Sequence, residues 1–127
     1  MRFLGLQEIL AIHRDQIARY GGSTGIRDTG LLTSAAAMPE VMFKGEFLHT
    51  DEYDMAAAYL FHLVRNHPFI DGNKRVGAVA AIIFLELNGY LFEAPEDDFS
   101  EMVYGVARSE LNKADIAIFL RKWCRKS

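Results

Sequence analysis

Between His67 and Arg75 the chain reads His-Pro-Phe-Ile-Asp-Gly-Asn-Lys-Arg. A base, a carboxylate, an amide, an ammonium and a guanidinium fall within this one short stretch. Set between two apolar segments, such a collection costs desolvation free energy that a plain connector has no reason to bear. A helix beginning at Asn73 leaves its first backbone N–H groups unpartnered and aimed into the loop. With the helix dipole they form an anion site. Gly72 lacks a Cβ, so an oxyanion can approach the backbone closely. Lys74 adds a point charge and Arg75 a two-pronged phosphate ligand. Asp71 is the one carboxylate in the stretch, suited to Mg²⁺, which is held by few carboxylates together with phosphate oxygens. His67, just ahead of this nest, can take a proton from an attacking hydroxyl. The stretch therefore reads as a general base (His67), a metal carboxylate (Asp71) and a phosphate cradle (Gly72, Asn73, Lys74 and Arg75). Plainer roles exist for the same residues. A histidine before proline is more often structural or solvated, an Asp-Gly-Asn run is more often a turn with a helix cap, and a Lys-Arg pair is more often solvated. Spacing by itself leaves both readings open.

The elements that must position this stretch are helices. Leu6, Ile9, Leu10, His13, Ile17 and Tyr20 recur at helical spacing, which predicts an amphipathic helix over residues 5–19, stopped by Gly21 and Gly22. Asp28 is a suitable N-cap for a second helix through Ala37, closed by Pro39. Residues 40–49 are irregular and read as a loop or short hairpin. Thr50 or Asp51 caps a third helix, which must end near His67 because Pro68 disfavours helical geometry in the residue before it. A fourth runs from Asn73 to Asn88 with Gly89 closing it. It is apolar almost all round from Val76 to Leu85, which predicts a central, surrounded helix. Residues 90–95 are extended. A fifth helix starts at Asp97 or Asp98 and ends near Arg108. Asn112 caps a sixth, from Lys113 to about Arg125. Its last turn carries Arg121, Lys122, Arg125 and Lys126, read as cations complementing a helix C-terminus rather than as a binding patch. No segment alternates strictly enough to be assigned as a strand. The expected fold is all-α, about six helices around a buried hairpin of helices three and four, in a single domain spanning residues 1–127.

Composition narrows the function. A chain of 127 residues is the length of one domain and can build a core without disulfides. Half of it is hydrophobic and 24% is charged, which argues against disorder. The net charge of -3 and pI of about 5.8 disfavour nucleic acid as the main partner, since such binding draws on a basic surplus. Cys124 is the single cysteine and fits a reducing compartment. Met1 to Ile12 is apolar in part, but Gln7 and Glu8 interrupt it, so it does not read as a signal peptide. The longest apolar run, Val76 to Leu85, is half of the roughly 20 residues a membrane span needs. A cytoplasmic protein with no membrane partner is the expectation.

The stretch from His67 to Arg75 resembles the signature of the Fic/Doc family, His-Pro-Phe-x-Asp/Glu-Gly-Asn-Gly/Lys-Arg. The likeness extends beyond it. Arg19-Tyr20-Gly21-Gly22, Gly25, Arg27-Asp28 and Gly30 are similar to the segment after the first helix of Doc (death-on-curing) toxins. Phe84-Leu85 with Asn88-Gly89, and Gly105-Val106-Ala107 before Glu110-Leu111, are similar to further landmarks of that branch. Without a Gly-Lys-Ser/Thr ending or a preceding strand, the glycines of 21–30 do not make a P-loop and read as a structural turn.

The resemblance implies an all-helical Fic fold and transfer of part of a nucleotide to a protein hydroxyl. Most Fic enzymes transfer AMP, whereas Doc-type members transfer the γ-phosphate of ATP to a threonine of elongation factor Tu and halt translation. Lys74 stands where the AMP-transferring motif usually has Gly, and Ala78 where that motif has a second Arg. Both favour the Doc reading; Pro68 and Gly72 look like the AMP-transferring form. Carried over by position, His67 is the base, Asp71 the Mg²⁺ ligand, and Gly72, Asn73, Lys74 and Arg75 the phosphate site. Phe69 anchors the loop in the core, and residues 40–49 form a flap that aligns the target's main chain. No inhibitory Ser/Thr-x-x-x-Glu-Gly/Asn motif is present. Restraint would then come in trans, from an antitoxin whose C-terminal segment folds on the toxin. A catalytically inactive helical binding module is the remaining alternative.

Overall fold

The computed structural model describes all 127 residues. In chain order they form α1 (Leu6–Tyr20), α2 (Thr29–Ala37), a 3-10 turn (Met38–Glu40), β1 (Met42–Phe43), β2 (Glu46–Phe47), α3 (Glu52–Asn66), α4 (Asn73–Leu87), β3 (Tyr90–Phe92), α5 (Glu96–Ala107), α6 (Lys113–Trp123) and β4 (Cys124–Lys126). The fold is mostly helical, as expected for a Fic/Doc-type fold.

Local chemistry sets most of these boundaries. Asp28 accepts from the Leu31 N–H, Asp51 from the Asp54 N–H, and Asn112 forms a reciprocal capping box with Asp115. Each satisfies a donor that the first helical turn would otherwise leave unpaired. The hairpin α3–α4 forms the centre. At Gly77 a Cβ would come 2.8 Å from Val64 Cγ2, so the two helices approach more closely there than a larger side chain permits. The more enclosed partner is α3, not the all-round apolar α4. Met55 through Leu60 are buried without a break, whereas Ala78, Val79, Ile82 and Ile83 of α4 are only half-buried. Three consecutive alanines, Ala56 to Ala58, let neighbours close on α3 from every side. The other helices pack around this pair, α1 against α4, and α2, α5 and α6 against α3.

The segment 40–49, expected as a loop or short hairpin, closes as the hairpin β1–β2, with Met42 opposite Phe47. Its two-residue turn, Lys44-Gly45, has φ of 51° and 82°, the left-handed geometry that matches strand twist in a tight hairpin. Two features depart from the sequence-based expectation. First, α6 ends at Trp123 rather than near Arg125, and Cys124–Lys126 pair antiparallel with Tyr90–Phe92. The exposed edge of residues 90–92 offers backbone partners that a further helical turn could not use. Second, the basic residues at this end do not form one helical terminus. Arg121 pairs with Asp51 at 2.7 Å and with Asp54 at 3.4 Å, and Arg125, now in a strand, pairs with Glu93 at 2.8 Å. Half-buried in β4, Cys124 has its thiol pKa pushed up by burial to about 11, so it is protonated at neutral pH. No helix is long and apolar enough to cross a membrane.

Candidate active site

The loop 67–72 joins the C-terminus of α3 to the N-terminus of α4. His67 closes α3 in the left-handed conformation, φ 48° and ψ 55°, and Pro68 prevents the helix from continuing. The carbonyls left open at this helix end are taken by Arg27. Its Nη2 donates to the Asn66 carbonyl at 2.7 Å and its Nε to the His67 carbonyl at 2.6 Å. A guanidinium at a helix C-terminus also complements the dipole. The His67 imidazole itself is exposed.

The glycine-rich segment 21–28, expected as a structural turn, is a strap laid along the loop. The Pro68 carbonyl accepts from the Arg27 and Asp28 N–H groups at 2.8 and 3.1 Å, and the Ile70 N–H donates to the Gly25 carbonyl at 3.0 Å. Ile26 and Phe69 make an antiparallel bridge. The Ser23 N–H donates to Asp71 Oδ2 at 2.8 Å. A side chain at Gly25 would run into Ile70 Cδ1, which explains a glycine where the strap crosses the motif. From below, Phe69 enters the core as expected, and the ring of His13 stacks on it at 3.8 Å. Only 2% exposed, His13 sends Nε2 to the Asp71 carbonyl at 3.0 Å. A carbonyl only accepts, so Nε2 carries the proton. Arg27, Ser23 and His13 all hold the loop, and none was singled out for this from sequence. Periodicity placed His13 on the inner face of α1, but nothing local ties it to a residue 58 positions away.

The structure brings the six sequence-identified residues together around the start of α4. Gly72, φ 84°, is its N-cap and supplies no side-chain cap, so the first amides of the helix stay open for an anion. Asn73 is buried and its amide serves the loop. Oδ1 accepts from the Phe69 N–H, and Nδ2 donates to the Phe69 carbonyl, both at 2.9 Å. Nδ2 also faces His67 Nδ1 at 3.4 Å, too long to fix the tautomer. The Asn73 side chain thus braces the loop between His67 and the start of α4. Arg75 is drawn toward the end of α1, with Nη2 3.2 Å from the Gly21 carbonyl and the guanidinium over the Tyr20 ring. Its Nε is buried with no hydrogen-bond partner. An orphaned guanidinium donor beside open helix amides is the arrangement that a phosphate oxygen would complete. Lys74 is exposed and extends over the Tyr104 ring.

A divalent metal fits Asp71. The carboxylate is exposed, Ser23 engages only Oδ2, and no protein hydrogen bond reaches Oδ1. No set of three metal-ligating side chains surrounds it. That suits Mg²⁺ shared between one carboxylate and substrate phosphates rather than an all-protein metal cage.

Residues 3–85 match the family described as the Fic/DOC family. The chain belongs to the Fic/DOC family. Among its relatives is Protein kinase doc of Escherichia phage P1, 32% identical over 123 residues, which is 96% of this chain and 95% of that protein. Another is Toxin Doc of Mycolicibacterium smegmatis, 42% identical over 78 residues, 61% of this chain and 60% of that protein. As a Fic/DOC protein the chain carries the family stretch on a loop bound on both sides, by the strap above and by His13 and Phe69 below.

Proposed function

We propose that this Fic/DOC protein is a Doc-like toxin that transfers the γ-phosphate of ATP to a protein hydroxyl, the acceptor being a threonine of elongation factor Tu, with arrest of translation as the consequence. The observation that carries this reading is Lys74. It occupies the nest position where AMP-transferring members have glycine, in a chain aligned end to end with a relative named a protein kinase.

In this reading His67 is the general base. Exposed and only loosely tied to Asn73, its imidazole accepts the hydroxyl proton as the acceptor oxygen bonds to the γ-phosphorus. The bond from that phosphorus to the β–γ bridging oxygen breaks, and ADP leaves. Asp71 would hold Mg²⁺ through Oδ1, where the ion supplies charge neutralisation to the phosphate oxygens. The open amides of α4, the Arg75 guanidinium and the Lys74 ammonium hold the phosphates and offset the charge that spreads over them. The strap and His13 contribute by rigidity, since a loop that shifts by about 1 Å forfeits much of the positioning advantage. An antitoxin whose C-terminal segment folds on the toxin would restrain the enzyme in trans.

ATP labelled at either the α- or the γ-phosphate, incubated with the purified chain and a bacterial lysate, tests the reading. Label from the γ position is expected on elongation factor Tu. Transfer of the α-label alone would establish AMP transfer instead, the reading that Pro68 and Gly72 favour.

A further inference from the structure

Lys44, Lys74, Lys122 and Lys126 are exposed, whereas Lys113 is half-buried where three elements meet. It opens α6. Its Nζ lies 3.3 Å from Nε2 of His49, just past the end of the β1–β2 hairpin, and 3.2 Å from Nε2 of His62 on α3. We propose that Lys113 is a nucleophilic amine, an acylation site for small acyl phosphates, and that its acylation breaks the bridge tying the hairpin end and α3 to α6. None of these residues belongs to the phosphate nest, so the proposal stands whichever phosphate the active site transfers.

The surroundings of Lys113 favour the free amine. None of the chain's ion pairs includes it, so its charge meets no carboxylate. Its two polar neighbours are imidazoles. An ammonium only donates, so both accept through Nε2 and neither carries a charge that offsets its own. Asp54, the carboxylate that bears on His49, is engaged by Arg121 at 3.4 Å and by the Thr50 hydroxyl at 3.2 Å. The Phe61 ring centroid is 5.8 Å from Nζ, near the limit of cation–π reach. As the first residue of α6, Lys113 also sits at the positive end of a helix dipole, where a cation is disfavoured. Burial acts in the same direction and lowers the affinity of the amine for its proton. A lysine so placed is a nucleophile, whereas a solvated ammonium is not.

The cluster supplies bases and no acid. The acyl donor must therefore bring a leaving group that departs without being protonated first, and an acyl phosphate does. Nζ gives one proton to solvent, its lone pair bonds to the acyl carbon, and the C–O bond to phosphate breaks. A second proton leaves the nitrogen for Nε2 of a neighbouring imidazole and passes on to the departing phosphate. The products are an amide and inorganic phosphate, and nothing is oxidised or reduced. The ammonium has three N–H donors and the amide has one. At most one of the two histidines then keeps its partner, and the bridge through Lys113 is lost.

The test incubates the purified full chain with acetyl phosphate and follows acetylation of each lysine by peptide mass spectrometry. Lys113 is expected to react at least about tenfold faster than Lys44, Lys122 and Lys126, a modest share of the roughly 100-fold or more that a positioned base adds. In the chain unfolded by urea that preference is expected to vanish. His62→Gln keeps an acceptor and removes the base, so the Lys113 rate is expected to fall toward that of the exposed lysines. His49→Gln is the second variant, and thermal melts check that each folds. In the acetylated chain, hydrogen exchange in the hairpin is expected to rise, including at Leu48, whose N–H donates to the Val41 carbonyl at 2.9 Å. Equal rates at Lys113 and the exposed lysines would overturn the proposal. So would a preference that persists in urea, because it would then belong to the local sequence and not to the cluster. A Lys113 rate unchanged in both histidine variants would remove the base, and hairpin exchange unaltered by acetylation would remove the bridge.

Discussion

His62 and His67 lie five residues apart at one end of α3, and their surroundings differ in almost every respect. The Nε2 of His62 is 3.2 Å from the Lys113 ammonium, which also reaches His49 Nε2 at 3.3 Å. An ammonium only donates, so both imidazoles accept and both are neutral there. Burial, then Lys113, then His49 push the His62 pKa down to about 4. His49 is lowered by burial first and by Lys113 next, with Asp54 opposing, and burial lowers Lys113 itself. His67, by contrast, is exposed, left-handed in backbone and loosely faced by one amide. The first region uses histidine as a fixed neutral acceptor joining the end of the β1–β2 hairpin, α3 and α6. The second leaves it open to solvent, as the proposed proton transfer requires. Residue type does not separate these roles; burial and the identity of the nearest cation do.

The largest expected effect separates the two histidines directly. His67→Ala is expected to lower transfer by at least about 100-fold, the lower range for loss of a general base, with the thermal midpoint unchanged. His62→Ala is expected to do the reverse, keeping transfer while losing roughly 1 kcal/mol of stability with a hydrogen-bond partner of Lys113. Labelled-phosphate transfer and thermal melts on both proteins check this, and similar activity losses would collapse the contrast.

Asp71→Asn comes next. It keeps the acceptor for Ser23 and removes the charge, so transfer and its Mg²⁺ dependence are expected to fall together while folding holds. Undiminished turnover in excess chelator would remove the metal from the site. Lys74→Gly is expected to reduce γ-phosphate transfer by at least about tenfold, roughly 1.4 kcal/mol of transition-state stabilisation. Rates from γ-labelled ATP measure it, and an unchanged rate would mean that the ammonium over Tyr104 is a bystander.

The last contrast concerns stability rather than transfer, belongs to the interior cluster and appears only in acid. The folded pKa of His62, about 4, lies below its unfolded value near 6.5. The unfolded chain therefore binds the proton first as pH falls. Stability from this residue is fully present above about pH 6.5 and is lost as pH falls toward about 4. Denaturant melts at several pH values are expected to show that decline, and His62→Gln, neutral throughout, to flatten it.

Much of the molecule is legible from residues close together in the chain. The caps Asp28, Asp51 and Asn112, the stop at Pro68 and the helical spacing of α1 act between neighbours one turn apart, and all mark their elements correctly. The stretch from His67 to Arg75 is likewise contiguous, so the family resemblance and a candidate anion site can be read from it before any folding is known. What only the tertiary structure decided are contacts between distant segments. These include Arg27 on the α3 carbonyls, Ser23 and His13 on Asp71, the pairing of β3 with β4 and the neutral cluster around Lys113. Each depends on the angles at which helices cross, and those angles follow from the packing of many side chains at once. The role of Asn73 shows the boundary. Its place in the motif is visible in the sequence, but its hydrogen bonds to Phe69 appear only when the loop has closed. The physical reason is range. Capping and periodicity are properties of a few consecutive residues, whereas the environment that leaves one histidine exposed beside the start of α4 and makes another a half-buried neutral acceptor is assembled from the whole chain.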